Sequence, residues 1–264
     1  MDYQYILVDV KDRIATVTIN RPEYSNAFAR ESYYEIADAM NTLGAREDVG
    51  VIVITGAGKH FSAGGDIKRF KMLVDTKTYL KAEDIEAVSA MPMAIRNCPK
   101  PVIAMVNGVA TGAGLSCALA CDFRIVEPSS KMIMAFVNMG LCGDNESIYT
   151  LMRLVGPDKA ELMMMTGDVY KGEQCVKIGL ATVLAEDGKL AETTYALAAK
   201  LAAKSSTAHG GQKRLIRKYF YGEMEAFAKD EGTEMAAASR QPDFTEAVNA
   251  FIEKRMPAYN LPHK

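Results

Sequence analysis

The apolar pattern changes period along the chain. Residues 5–10 and 14–20 alternate apolar with polar side chains around Lys11-Asp12, which predicts two strands joined by a turn. Residues 32–43 carry apolar positions at helical spacing, and residues 49–55 form an unbroken β-rich apolar run, as in a buried strand. A glycine-rich stretch follows, with Gly56-Ala57-Gly58 and then Ala63-Gly64-Gly65-Asp66. Residues 69–98 read as helix with a break at Pro92, 102–106 as a strand, 112–114 as a glycine turn entering a helix, and 123–126 as a short strand. Helices dominate afterwards, over 147–154, 159–166, 172–178, 188–204, 211–220 and 223–238. Strands alternating with helices, followed by helices alone, predict an α/β core with a helical C-terminal section.

The longest uncharged stretch, 101–121, is long enough to span a membrane and contains Gly108 and Gly112 at GxxxG spacing. It also holds Asn107, a Thr, a Ser and several glycine breaks. A buried strand (101–106) followed by a short buried helix (114–120) accounts for it better. The N-terminus lacks the apolar run of a signal peptide. A soluble, cytoplasmic protein is therefore expected.

Composition narrows the class. The chain has 264 residues, 49% hydrophobic and 24% charged, which is ordinary for a globular protein. Lys plus Arg is 31 and Asp plus Glu is 33, so no general basic field favours nucleic acid. The five cysteines are odd in number and include no Cys-x-x-Cys pair, which suggests reduced thiols. Cys117 and Cys121 share a helical face, but none of the three histidines stands at ligand spacing from them, and no metal site is expected.

Two glycine-rich strand-to-helix turns carry the candidate chemistry, Ala63-Gly64-Gly65-Asp66 and Gly112-Ala113-Gly114. Neither fits a P-loop or the dinucleotide pattern GxGxxG. Each supplies backbone N–H groups at a helix start, unobstructed by side chains. Two such groups converging on one oxygen would form an oxyanion hole.

The ordered segments RPEYSNAF (21–28), VIVITGAGKHFSAGGDIK (51–68), KPVIAMVNGVATGAG (100–114) and CDFRIV (121–126), with the tail DFTEAVNAFIEKRMPAY (243–259), resemble the crotonase, or enoyl-CoA hydratase/isomerase, family. The resemblance covers nearly the whole chain. It implies a crotonase-like spiral of ββα units over residues 1–190 and a helical region over 191–264 that builds trimers or dimers of trimers. It implies an acyl-CoA thioester substrate, with coenzyme A as part of that substrate and no further cofactor. The thioester oxygen would sit between the N–H groups of Gly65 and Ala113. Ser25, Ala27, Ala63, Gly65, Asp66, Ile67 and Lys68 would contact the coenzyme A arm, and Phe251 and Lys254 would make its outer contacts.

The resemblance also bears on the reaction. Hydratases of this family use two glutamates, and the corresponding slots here hold Ser116 and Phe136, the latter a wall of the acyl pocket. Adding water needs one group to activate it and one to supply a proton. The segment MIMAFVNMGLCGDNES (132–147) is instead similar to the isomerase branch, which carries one carboxylate at the slot of Asp144. One carboxylate suffices to take a proton from one carbon and return it to another. The family's dehalogenases also place an Asp there, but their accompanying His is missing from the helix before Pro92.

The loop departs from that pattern, with Gly143 for the usual Pro and Asn145-Glu146 for the usual glycine pair. Glu146 is a second candidate base, or a partner that raises the pKa of Asp144. Alternatively, Asp144 or Asn145 caps the helix that follows. An isomerase is the leading expectation. The alternative is a hydratase, hydrolase or lyase that uses water with Asp144 and Glu146, and a third class is a weakly catalytic acyl-CoA-binding protein. His60 reads as surface, Cys142 as pocket wall, the methionines at 132, 134, 139 and 163–165 as core or an adaptable acyl pocket, and the basic run 213–218 as a solvated helix face or a contact to coenzyme A phosphates.

Overall fold

The computed structural model describes residues 2–259. Strands β1 (Ile6–Lys11) and β2 (Ile14–Ile19) form an antiparallel hairpin whose turn residues, Asp12 and Arg13, both have positive φ. That turn geometry matches the right-handed twist of the two strands. Helix α1 (Arg30–Ala45) leads to β3 (Val51–Gly56), which pairs parallel to β2 and is buried along its whole length.

Residues 69–98 form parts of three helices rather than one: α2 (Ile67–Asp75), α3 (Ala82–Val88) and α4 (Ala90–Asn97). Pro92 breaks nothing. It lies in the first turn of α4, where the missing N–H would have had no helical partner. Strand β4 (Val102–Met105), a short β5 (Val109–Thr111) and helix α5 (Ala113–Ala120) follow. Then come β6 (Phe123–Val126) and β7 (Lys131–Ile133). Helices α6 (Ser147–Val155) and α7 (Pro157–Thr166) precede β8 (Val169–Lys171), α8 (Gly172–Lys177) and β9 (Val183–Leu184). The C-terminal helices are α9 (Leu190–Ala202), α10 (Ser206–Phe220), α11 (Met224–Ala238) and α12 (Pro242–Glu253).

Two sheets result. One runs β1-β2-β3-β4-β6-β9, and the other runs β5-β7-β8. Alternation along the central strands divides the core. Ile52, Ile54, Val102 and Ala104 face the main core with α1, α4 and α5, whereas Val51, Val53, Ile103 and Ile125 face Leu190, Ala198 and Ala202 of α9. Phe244, Val248 and Met235 of the last two helices close the main core near the start of α2 and α3. Among the described residues, no helix is long and apolar enough to cross a membrane.

Candidate active site

The two glycine turns meet. Gly64 has φ +85°, and a Cβ there would lie 2.6 Å from the Thr111 carbonyl oxygen and 3.4 Å from the Ala113 nitrogen. Only glycine allows this approach. The backbone is stitched on both sides. Ser62 N–H donates to Val109 O at 3.0 Å, Thr111 N–H donates to Ser62 O at 3.1 Å, and Phe28 N–H donates to Gly64 O at 2.7 Å. Gly112 precedes α5 with φ 52° and ψ −127°, and Ala113 opens the helix, so the Ala113 N–H is one of its orphan donors. Gly65 and Ala113 line the same cavity, of about 380 Å³.

That cavity is walled by Phe28, Tyr33, Phe70, Leu80, Val88, Phe136, Met139, Leu141 and Met235. Two carboxylates reach it. Asp66 is occupied: it caps α2 by accepting from the Lys68 N–H at 2.9 Å, and it pairs with Arg21 at 3.0 Å. Asp144 is 7% exposed and accepts from the Asn145 side-chain amide at 2.6 Å. Burial pushes the Asp144 carboxyl up to about 6, against the opposing pull of the Asn145 hydrogen bond and the Arg69 charge. Glu146 is not the cause of this shift, contrary to the sequence reading. Tyr33 stays a neutral phenol, held there by burial and by the Asp144 charge.

Glu146 is fully buried but does not line the cavity. It opens α6 from a left-handed backbone, φ 51°. Its carboxyl is raised well above the usual range, first by burial and also by the nearby Glu231 and Asp144. The N-cap residue Glu146 makes no side-chain cap of its own, and neither Asp144 nor Asn145 plays that role; the Asp144 carbonyl accepts from Ser147 N–H at 3.2 Å.

The coenzyme A contacts expected from the sequence divide into two groups. Ala63, Gly65, Asp66, Ile67, Ala113, Phe136 and Phe251 line the cavity. Ser25, Ala27, Lys68 and Lys254 do not. The Ser25 carbonyl accepts from Ala63 N–H at 3.0 Å and the Ala27 carbonyl from Arg21 at 2.6 Å, so both brace the first turn from behind. Lys68 lies over the Tyr24 ring, 4.4 Å from its centroid. Lys254 ends α12 in a left-handed conformation, and the next residue, Arg255, lines the cavity in its place.

In the first hydratase slot, the Ser116 hydroxyl donates to the Asp144 carbonyl at 3.3 Å. Phe136 fills the other with an aromatic wall. Cys142 lies outside the lining, and burial pushes its thiol up to about 11. Met139 lines the cavity, whereas Met132, Met134 and Met163 are core. Lys213 of the basic run turns inward, to Asp122 at 2.6 Å.

Sequence reasoning did not find Tyr33, Arg69, Arg255 or Glu231. A signal for Arg69 exists: with Asp66 and Phe70 it falls at i, i+3 and i+4, one face of α2. Glu231, on α11, and Arg255, just past α12, lie at least 85 residues beyond the loop or the turns they serve, and no local pattern marks them.

A family model for enoyl-CoA hydratase/isomerase matches residues 9–261. The chain belongs to the enoyl-CoA hydratase/isomerase family. Its relatives in that family include the trans-2-decenoyl-[acyl-carrier-protein] isomerase of Streptococcus mutans, 30% identical over 98% of this chain and 99% of that protein. The 1,2-epoxyphenylacetyl-CoA isomerase of Escherichia coli is 30% identical over 97% and 98%. The crotonyl-CoA hydratase of Syntrophomonas wolfei is 29% identical over 97% of each. Among solved structures, an enoyl-CoA hydratase from Mycobacterium avium subsp. paratuberculosis superposes with a TM-score of 0.89 at 27% identity, covering 98% of this chain and 100% of that one. The fold is the crotonase-type α/β fold with a C-terminal helical section. An enzyme of the enoyl-CoA hydratase/isomerase family is thereby established, and identities near 30% to both isomerases and a hydratase do not choose between reactions.

Proposed function

We propose that this enoyl-CoA hydratase/isomerase family member is an acyl-CoA isomerase that shifts a double bond by proton transfer. The observation that carries this reading is the division of labour between the two cavity carboxylates. Asp66 is spent on a helix cap and an ion pair, which leaves Asp144 as the one carboxylate available to a substrate carbon. A buried carboxyl at about 6 is ionised at neutral pH and close enough to it to return the proton.

The thioester oxygen sits between the N–H groups of Gly65 and Ala113. With a 3-enoyl-CoA, Asp144 takes the α-proton, and the C–H electron pair moves into the conjugated system as the thioester oxygen gains charge. Each backbone donor contributes about 3 kcal/mol at that stage. The protonated Asp144 returns its proton to the γ-carbon, and the double bond ends between the α- and β-carbons. No water enters the product, and no cofactor is required beyond the coenzyme A that the substrate carries.

The acyl chain fits the apolar wall of Phe136, Met139, Leu141 and Met235. A hydratase, hydrolase or lyase using Asp144 with Glu146 would need both carboxyls in the cavity. Isomerisation in water labelled with oxygen-18 tests the choice. The isomerase gives product without label, whereas label in the product shows that water is a reactant. Tight thioester binding without turnover would point to the binding-protein class instead.

The same reading covers assembly. Leu215, Ile216, Tyr219 and Phe220 of α10 are 50–76% exposed, an apolar face suited to a homotrimer or a dimer of trimers. Residues 1–190 serve as the spiral core and 191–264 as the oligomerisation region, in a cytoplasmic enzyme. A solution mass three or six times 28.8 kDa is expected.

A further inference from the structure

The loop that carries Asp144 is held in an unfavourable backbone state. Asn145 and Glu146 are consecutive non-glycine residues with φ 55° and 51°. Asn145 tolerates the left-handed region, but a glutamate resists it, so Glu146 carries the strain and persists there because its surroundings impose it. The loop is also deeply buried: Asn145 is 1% exposed and Glu146 is fully buried. Asn145 donates its side-chain amide to the Asp144 carboxylate, so the turn at Asn145 aims the proton-transfer group.

One long-range contact grips this turn. The Glu231 carboxyl, from α11, accepts from the Glu146 N–H at 2.7 Å across 85 residues of sequence. Glu231 therefore serves as a cap delivered from another helix, where α6 has no side-chain cap of its own. Glu231 is 4% exposed, so its position is fixed by packing. Met235, one helical turn further along the same face of α11, lines the cavity.

We infer that Glu231 is a positioning residue, which clamps the left-handed Asn145-Glu146 turn and so holds the Asp144 carboxylate in line with the substrate. Glu231 does not line the cavity, so its effect is transmitted through the loop. The inference rests on the reading of Asp144 as the proton-transfer group.

The experiment is a cycle of variants assayed with a 3-enoyl-CoA. Glu231→Ala removes the acceptor, and kcat is expected to fall on the order of 10²-fold, the usual cost of a misplaced catalytic group. KM is expected to move less than about 3-fold, because the cavity wall and the two backbone donors are untouched. Glu231→Gln keeps an acceptor oxygen of the same reach and is expected to recover most of kcat. Glu146→Gly lets position 146 adopt positive φ without strain. In that background, Glu231→Ala is expected to cost several-fold less than in the parent.

A purely structural role would lower thermal stability without this split between kcat and KM. An unchanged kcat in Glu231→Ala overturns the inference. So does an equal loss in both backgrounds, or a Gln variant as slow as the Ala variant. Should Glu231→Ala fail to fold, the Gln variant and the Glu146→Gly background still decide it. Asp144→Asn separates the two readings: if it is inactive while Glu231→Ala is fully active, the clamp fails and the base stands. If Asp144→Asn is fully active, the base itself fails.

Discussion

The Asn145 side-chain amide donates at 2.6 Å to the carboxylate of Asp144, which lines a largely apolar cavity. The bond favours the charged form of Asp144 and opposes the upward push of burial. Asn145→Gly removes the donor and still accommodates the positive φ of that position. The acidic limb of the kcat/KM profile, set in the parent near 6, is then expected to move upward, with the largest loss of rate below pH 7. A limb that stays in place would show that the bond does not act on the ionised base.

Gly64 is the second dependency. Its positive φ and its 2.6 Å approach to the Thr111 carbonyl leave no room for a methyl group. Gly64→Ala is expected to displace the Gly65 N–H from the thioester oxygen and lower kcat roughly 10²–10³-fold, as loss of one oxyanion donor does elsewhere. Steady-state kinetics of the folded variant, with folding checked by circular dichroism, measures this.

The strongest signals in the sequence were those with a local cause. Gly64 and Gly112 announce turns because other residues are excluded there, and the buried run at 51–56 announces a central strand because both of its faces are covered. Strands such as Val109–Thr111 and Val183–Leu184 were not legible, being too short to show a period. The cavity lining was legible where the backbone supplies it, as at Gly65 and Ala113. It was not legible where a side chain packs elsewhere, as Lys68 does over Tyr24, outside the lining. Glu146 was over-read for a related reason: its nearness to Asp144 in sequence does not put it in the cavity, because the left-handed turn sends it behind the loop.

Burial of Asp144 has a cost that depends on pH. Its carboxyl is raised from the usual 3.8 to about 6 in the folded state. Below pH 3.8 both folded and unfolded forms are protonated and the site costs nothing. The penalty grows as pH rises to about 6 and is complete above it, reaching up to about 3 kcal/mol. Asp144→Asn is therefore expected to stabilise the protein at pH 7 to 8 and to be close to neutral near pH 4. Denaturant midpoints at the two pH values test the sign, and an equal effect at both would contradict it.

Glu231 should contribute a second, more alkaline step. Burial, with the Asp144 charge, raises its carboxyl from the usual 4.5 to about 8, so folded stability is expected to fall as pH rises from 4.5 to about 8 and to level off above it. Glu231→Gln, which cannot ionise, is expected to flatten that part of the stability profile. Thermal midpoints between pH 5 and 9 measure it.

The central claim is that Asp144 moves the proton, and hydrogen–deuterium exchange at the substrate α-carbon tests it most directly. A non-isomerising saturated acyl-CoA is incubated in deuterated water with the parent protein or with Asp144→Asn, and deuterium gain is followed by mass spectrometry. The account predicts exchange by the parent and a loss of about 10²–10⁴-fold in the variant, with thioester binding retained. Exchange by Asp144→Asn at near the parent rate would contradict it.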